Sequence, residues 1–192
     1  DVSALLEPIY DEEWFDGGVG YAGVVLGALN LDASAANYSD ININIDSNSS
    51  VRAEVENGSA VALLFAINDI YMEGGVQAYG NNIEGDDFVS LLEDIITEEF
   101  GDENFYGISF GLENDYNSAI LALSLVGDIT IAYLDADLVV LAAFGLDDMF
   151  FGVSGSGSIY KNPLVKSIID ANLLGVFARN DIGTSEAPLF TD

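Results

Sequence analysis

The stretch whose spacing carries the most chemistry is Asp102–Glu113, DENFYGISFGLE. Asp at position 1, Asn at 3, Gly at 6 and Glu at 12 follow the order in which an EF-hand loop wraps Ca²⁺ with oxygens. Asp102, Asn104 and Glu113 would then be ligands. Two positions depart from the pattern: Tyr106 at position 5 offers no suitable ligand, and Ser109 stands where an apolar residue is usual. The segment that follows also reads as strand, not helix. The plainer reading is a glycine-containing turn that leads into a strand.

Asp135 and Asp137 are the second candidate. Two apart on a strand, they would share one face, with Asp128 nearby. Asp86-Asp87 and Asp147-Asp148 are further pairs. Neighbouring carboxylates can hold a hard cation or share a proton in acid–base work. With 33 acidic residues in the chain such pairs arise from composition alone, and a solvated acidic face is the reading they favour. No cofactor is expected, with Ca²⁺ as the alternative these carboxylates leave open.

Other chemistry is largely excluded. There is no Cys and no His, which removes thiol chemistry, disulfides, the usual zinc sites and imidazole catalysis. Ser154–Ser158 lacks the Lys-Ser/Thr that completes a phosphate-binding loop and reads as a flexible link. Ser–Lys catalysis would need a desolvated lysine, and Lys161 and Lys166 both fall near an expected helix start. The expectation is a protein that is not an enzyme.

Three sequons, Asn37-Tyr38-Ser39, Asn48-Ser49-Ser50 and Asn57-Gly58-Ser59, lie close together at expected strand ends or turns. With an opening Asp in place of Met, they favour an exported glycoprotein at the cell surface or beyond it, with Asn37, Asn48 and Asn57 as acceptors.

Charge sets the partners. The formal net charge is −29, with Arg52, Lys161, Lys166 and Arg179 as the basic residues. Such a chain has almost nothing with which to displace the counterions of a nucleic acid. Anionic lipid surfaces are disfavoured likewise. Divalent cations, high salt and basic proteins are the attractive partners. No apolar run reaches the ~18 residues of a membrane helix, so no transmembrane helix is expected. Half the residues are hydrophobic, so the chain should fold despite its charge.

The elements that must position these residues are mostly strands. Residues 117–145 form the longest apolar region, read as strands Ser118–Val126 and Ile129–Ala143 with a phase shift at Leu134-Asp135. Almost every residue in Ala119–Val126 is apolar, so both faces should be covered. In Asp40–Asp46, Ile41, Ile43 and Ile45 alternate with Asp and Asn, and Val51, Ala53 and Val55 then alternate with charges. This pair reads as a hairpin turned at Ser47–Ser50. Two amphipathic helices are expected, Asp86–Phe100 and Pro163–Leu174, from apolar spacing and caps. No internal repeat is evident.

The expected fold is mainly β, a β-sandwich or curved antiparallel sheet with two short amphipathic helices. Residues 1–16 read as an acidic lead that could anchor one subunit on another, and 17–192 as a single β-rich domain. The function expected is a secreted structural subunit that self-assembles into an extracellular filament, sheath or coat. Copies of itself are the partner, through β-strand exchange and with cations screening the charge. The alternative is an extracellular carrier of a lipid or other apolar ligand.

Overall fold

A computed structural model describes residues 2–4, 20–28, 41–56, 58–80, 116–146, 155–184 and 188–189. Strands form where aliphatic and β-branched residues run together, and they end where Gly, Asp, Asn and Ser gather. In chain order they are β1 Val2–Ala4, β2 Gly20–Ala28, β3 Ile43–Ile45, β4 Ser50–Glu54, β5 Gly58–Ala66, β6 Ile70–Met72 and β7 Gly75–Tyr79. They continue with β8 Ser118–Ser124, β9 Ile129–Ile131, β10 Tyr133–Asp135, β11 Leu138–Ala143, β12 Ile159–Lys161, β13 Ile168–Asp170 and β14 Leu173–Ala178.

Every pairing between these strands is parallel. Three sheets result, ordered β1-β4-β7-β10-β13, β14-β11-β8-β5-β2 and β12-β9-β6-β3. Successive strands visit the three sheets in turn, so each circuit of three lays one rung on the last. The molecule is a parallel β-solenoid of five rungs, the fifth completed by a bridge from Ile182 to Ile159.

This overturns the antiparallel expectation. The runs at 40–56 do not form a hairpin: β3 and β4 belong to different sheets, and Asp46–Ser49 turns a corner between them. The expected helix Pro163–Leu174 is replaced by a turn after Asn162 and by β13 and β14. Asn162 is buried, with its amide donating to the Met72 carbonyl and its Oδ1 capping the Leu164 N–H, which fixes that turn. The expected helix Asp86–Phe100 lies outside the described residues. Among the described residues there is no helix, hence none long and apolar enough to cross a membrane.

The core is built of columns, because parallel in-register pairing places equivalent residues one above another. Ile43, Ile70, Ile129, Ile159 and Ile182 form an isoleucine column along the third sheet. Val51, Val76, Leu134 and Ile169 stack inside the first, and Val24, Ala62, Ile120 and Val139 inside the second. Leu189 packs against the same core.

The three sheets differ outside. The first and third alternate: Val51 and Ala53 point in while Arg52 and Glu54 are exposed, and Ile43 and Ile45 flank exposed Asn44. The second sheet is apolar on both faces. All seven residues of β8 and all six of β11 are buried, and Val61, Ala119, Leu121, Leu138 and Val140 make a second apolar cluster on its outer side with Leu63 and Tyr116 against it.

Candidate functional site

Each circuit turns from the second sheet into the third at a polar residue that precedes the isoleucine column. Here the backbone bends and its N–H groups need new acceptors. The Asn42 Oδ1 accepts from the Asp69 N–H at 3.0 Å, Asp69 Oδ1 from the Asp128 N–H at 2.8 Å, and Asp128 Oδ1 from the Ser158 N–H at 2.8 Å. Ser158 Oγ accepts in turn from the Asp181 N–H at 3.4 Å. Side chain thus caps backbone, rung after rung, and the Asn68 Nδ2 donates to Asn42 Oδ1 at 2.9 Å. Outside this ladder lies a depression of about 280 Å³ lined by Asn42, Asn44, Asp69, Tyr71, Asp128 and Thr130.

On the outer face of the first sheet, Arg52, Gln77, Asp135 and Asp170 stand in one column. The Asp135 carboxylate accepts from the hydroxyls of Tyr79 and Tyr133, the latter at 2.7 Å. Gln77 Nε2 donates to the Tyr79 hydroxyl at 2.8 Å. The Arg52 guanidinium lies 5.0 Å from the centre of the Tyr79 ring and pairs with Glu54 at 2.9 Å. Both phenols are pushed above the ordinary tyrosine value. For Tyr79 burial is the larger cause and the bond to Asp135 the second; for Tyr133 that bond comes first and burial second. A carboxylate that holds two phenolic protons in this way is a structural acceptor.

The sequence placed Asp135 and Asp137 on one strand. They sit instead on either side of the corner at Ala136, yet both line a second depression of about 160 Å³ with Asp170 and Asn172. Asp137 is occupied: Oδ2 accepts from the Asn117 N–H at 2.9 Å and the Ser118 hydroxyl at 3.0 Å, and Oδ1 accepts from Asn172 at 2.9 Å. Among the described residues no three carboxylates are grouped so as to surround a metal ion. Asp102, Asn104 and Glu113 lie outside the described residues, as do Asn37, Asn57, Asp86-Asp87 and Asp147-Asp148. Asn48 is exposed, in the turn closed by the Ser49 N–H on the Asp46 carbonyl at 2.8 Å.

The expected flexible link at 154–158 is hydrogen-bonded to the stack over Gly155–Ser158. Ser156 donates to the Val126 carbonyl at 2.9 Å and Ser158 is buried. Gly145 and Gly157 both take positive φ, 55° and 61°, where their backbones meet too closely for a side chain.

Sequence reasoning missed the end of the stack. The fifth rung is bordered on one side alone: among the described strands β14 pairs with β11, and β13 with β10. Its inward residues Leu174, Val176 and Ala178 are half-buried, whereas their partners Val139, Leu141 and Ala143 one rung back are fully buried. Leu173, Phe177 and Ile182 are 38, 49 and 53 % exposed. Phe177 leans on Phe144, ring centres 5.5 Å apart. At the opposite border of the second sheet Val25 is 69 % exposed. Part of the signal was present in Ile168-Ile169, a β-branched pair inside the expected helix, and Val176–Ala178 reads as a strand from its sequence.

No family model, no curated protein and no solved structure matches the chain.

Proposed function

We propose that the chain is a structural subunit that works outside the cell and associates with copies of itself into an extended assembly. The observation that carries this reading is the border at the fifth rung, where Leu173, Phe177 and Ile182 are exposed and β14 has one neighbour among the described strands. A free parallel edge offers a row of N–H and C=O groups and is a template for another strand. The exposed Asn48 sequon is compatible with export.

Charge decides the conditions. At −29 per copy, subunits repel one another unless the charge is screened. Adjacent rungs are ~4.8 Å apart, inside the ~10 Å screening length at 0.1 M salt and beyond the ~3 Å length at 1 M. Association is therefore expected to strengthen as monovalent salt or divalent cation is raised. The assay is particle mass by light scattering across a salt series, with and without chelator. A chain that stays single at every salt concentration refutes the proposal.

The carrier reading finds no comparable support. Among the described residues the stacked columns pack together inside the three sheets, and both depressions described above lie outside and are lined mainly by polar groups.

A further inference from the structure

We infer that the outer face of the second sheet is the docking surface of the chain's own residues 81–115, whether or not copies associate. Burial is the first observation. Val61, Ala119, Leu121, Leu138 and Val140 point outward from β5, β8 and β11, yet none is more than 9 % exposed. Leu63 and Tyr116 pack against them. Three neighbouring strands span about 10 Å, and two side chains cannot dry a surface of that width. The flanking strands are wet on the same face. Val25 of β2, in register with Leu63, is exposed, and so is Leu173 of β14, in register with Leu138. What covers the face is therefore centred on β8.

Connectivity is the second observation. Residues 81–115 lead directly into β8. The chain leaves at Gly80 and returns at Tyr116, and the two ends meet: a β-carbon on Gly80 would fall on the carbonyl oxygens of Asn117 and Gly58. The excursion thus springs from the corner where β5 and β8 begin, and Tyr116 at its returning end already lies on the face. Thirty-five residues can reach out and back by about 60 Å, against about 23 Å for the length of β8. The other stretches outside the described residues are placed less well. Residues 5–19 and 29–40 adjoin β2, where Val25 is exposed. Residues 147–154 leave and return where Gly145 meets Gly157, and eight residues reach out and back by only about 14 Å. Near the end of the chain, Leu189 packs against the inner cluster instead.

Composition is the third observation. Residues 81–115 carry eleven acidic residues and no basic one, interleaved with Phe88, Leu91, Leu92, Ile95, Ile96 and Phe110. Apolar side chains of that size need a dry partner. The strands β5, β8 and β11 carry no charged residue, so their outer face can take the apolar side chains and leave the carboxylates to water. Docked in this way, 81–115 closes the second sheet to lipid and to a second copy. Contacts between copies then fall to the first and third sheets and to the borders of the stack.

Photo-leucine tests this in the intact chain, because it replaces leucine with little change of shape. On irradiation Leu91, Leu92 and Leu112 should cross-link to peptides of β5, β8 or β11, as read by mass mapping. A mixture of isotope-labelled and unlabelled chain separates links within one copy from links between copies, and links within one copy are expected. Val61→Cys and Val140→Cys give a second readout, since the natural chain has no cysteine. In dilute folded chain each should be alkylated at least about tenfold more slowly than Val25→Cys. Links from the outer face that join two copies overturn the inference, as do links to another stretch with none to 81–115. Alkylation of Val61→Cys or Val140→Cys as fast as that of Val25→Cys overturns it too. A chain that never associates refutes the assembly proposed above and leaves this docking standing.

Discussion

Replacing Asp128 by Ala isolates one step of the corner ladder. The substitution keeps the Asp128 N–H on Asp69 and its carbonyl on the Ile70 N–H, and removes only the acceptor at 2.8 Å from the Ser158 N–H. Ser158 is 2 % exposed, so water cannot readily replace that acceptor. An orphaned buried donor costs about 1–3 kcal/mol. One term opposes it. Asp69 occupies the equivalent position one rung away, and two charges ~5 Å apart in water repel by about 0.8 kcal/mol. Removing Asp128 relieves that repulsion at low salt. Asp128→Asn relieves it too but keeps the acceptor. The alanine variant should therefore be less stable than the asparagine variant by about 1–3 kcal/mol, and that gap should persist at 1 M salt, where both variants lose the electrostatic relief. Urea unfolding followed by circular dichroism at two salt concentrations measures it. Equal stabilities of the two variants would show that the ladder bond contributes nothing.

In the isoleucine column, Ile129→Ala should cost about 2–5 kcal/mol and Ile129→Val about 0.5–1.5 kcal/mol, since Ile129 is fully buried; equal losses would mean that the column repacks. Gly74→Ala should cost about 1–3 kcal/mol, because its β-carbon would fall on the Ser49 carbonyl oxygen; a neutral result in the same unfolding assay would place that corner wrongly. Tyr79 and Tyr133 have raised folded-state values, so above the ordinary phenol value of ~10 the unfolded chain releases protons that the folded chain retains. Stability should hold below that pH and fall as pH rises through it. Ultraviolet titration should find these tyrosines late to ionise, and Asp135→Asn should bring them forward; unchanged titration in that variant would refute the hydrogen-bonded arrangement. Expressed through a secretory pathway, the chain should carry glycan at Asn48, read by intact mass before and after glycosidase; an unmodified Asn48 would remove one support for export.

Alternation made the inward faces of β3 and β4 legible: Ile43, Ile45, Val51 and Ala53 face the core as a period of two requires. The two-sided burial of β8 was legible in the same way. What alternation could not tell is which strand lies beside which. Ser47–Ser50 suits a hairpin turn as well as a solenoid corner, and the period is the same in both. The repeat itself was hidden by its irregular length. From Ile43 the column steps 27, 59, 30 and 23 residues along the chain to Ile182, so no fixed interval marks it. The helix expected at Pro163–Leu174 failed because capping signals were weighed above Ile168 and Ile169, whose branched side chains suit a strand. Tyr79 and Asp135 stand 56 positions apart, and only a rung boundary between them makes them neighbours. The two-carboxylate spacing found one real depression, which Asp135 and Asp137 both line while accepting bonds from protein donors.

The stacking of like on like has a consequence for how such a chain can change over generations. Each circuit offers its neighbours the same sort of surface that it receives, so excising or duplicating a whole turn would join compatible faces without redesign of either. The uneven steps between isoleucines fit that idea: the longest, from Ile70 to Ile129, takes up its extra residues in the chain between β7 and β8. Reach along the axis then becomes a dial set by the count of turns, independent of whatever the corners carry.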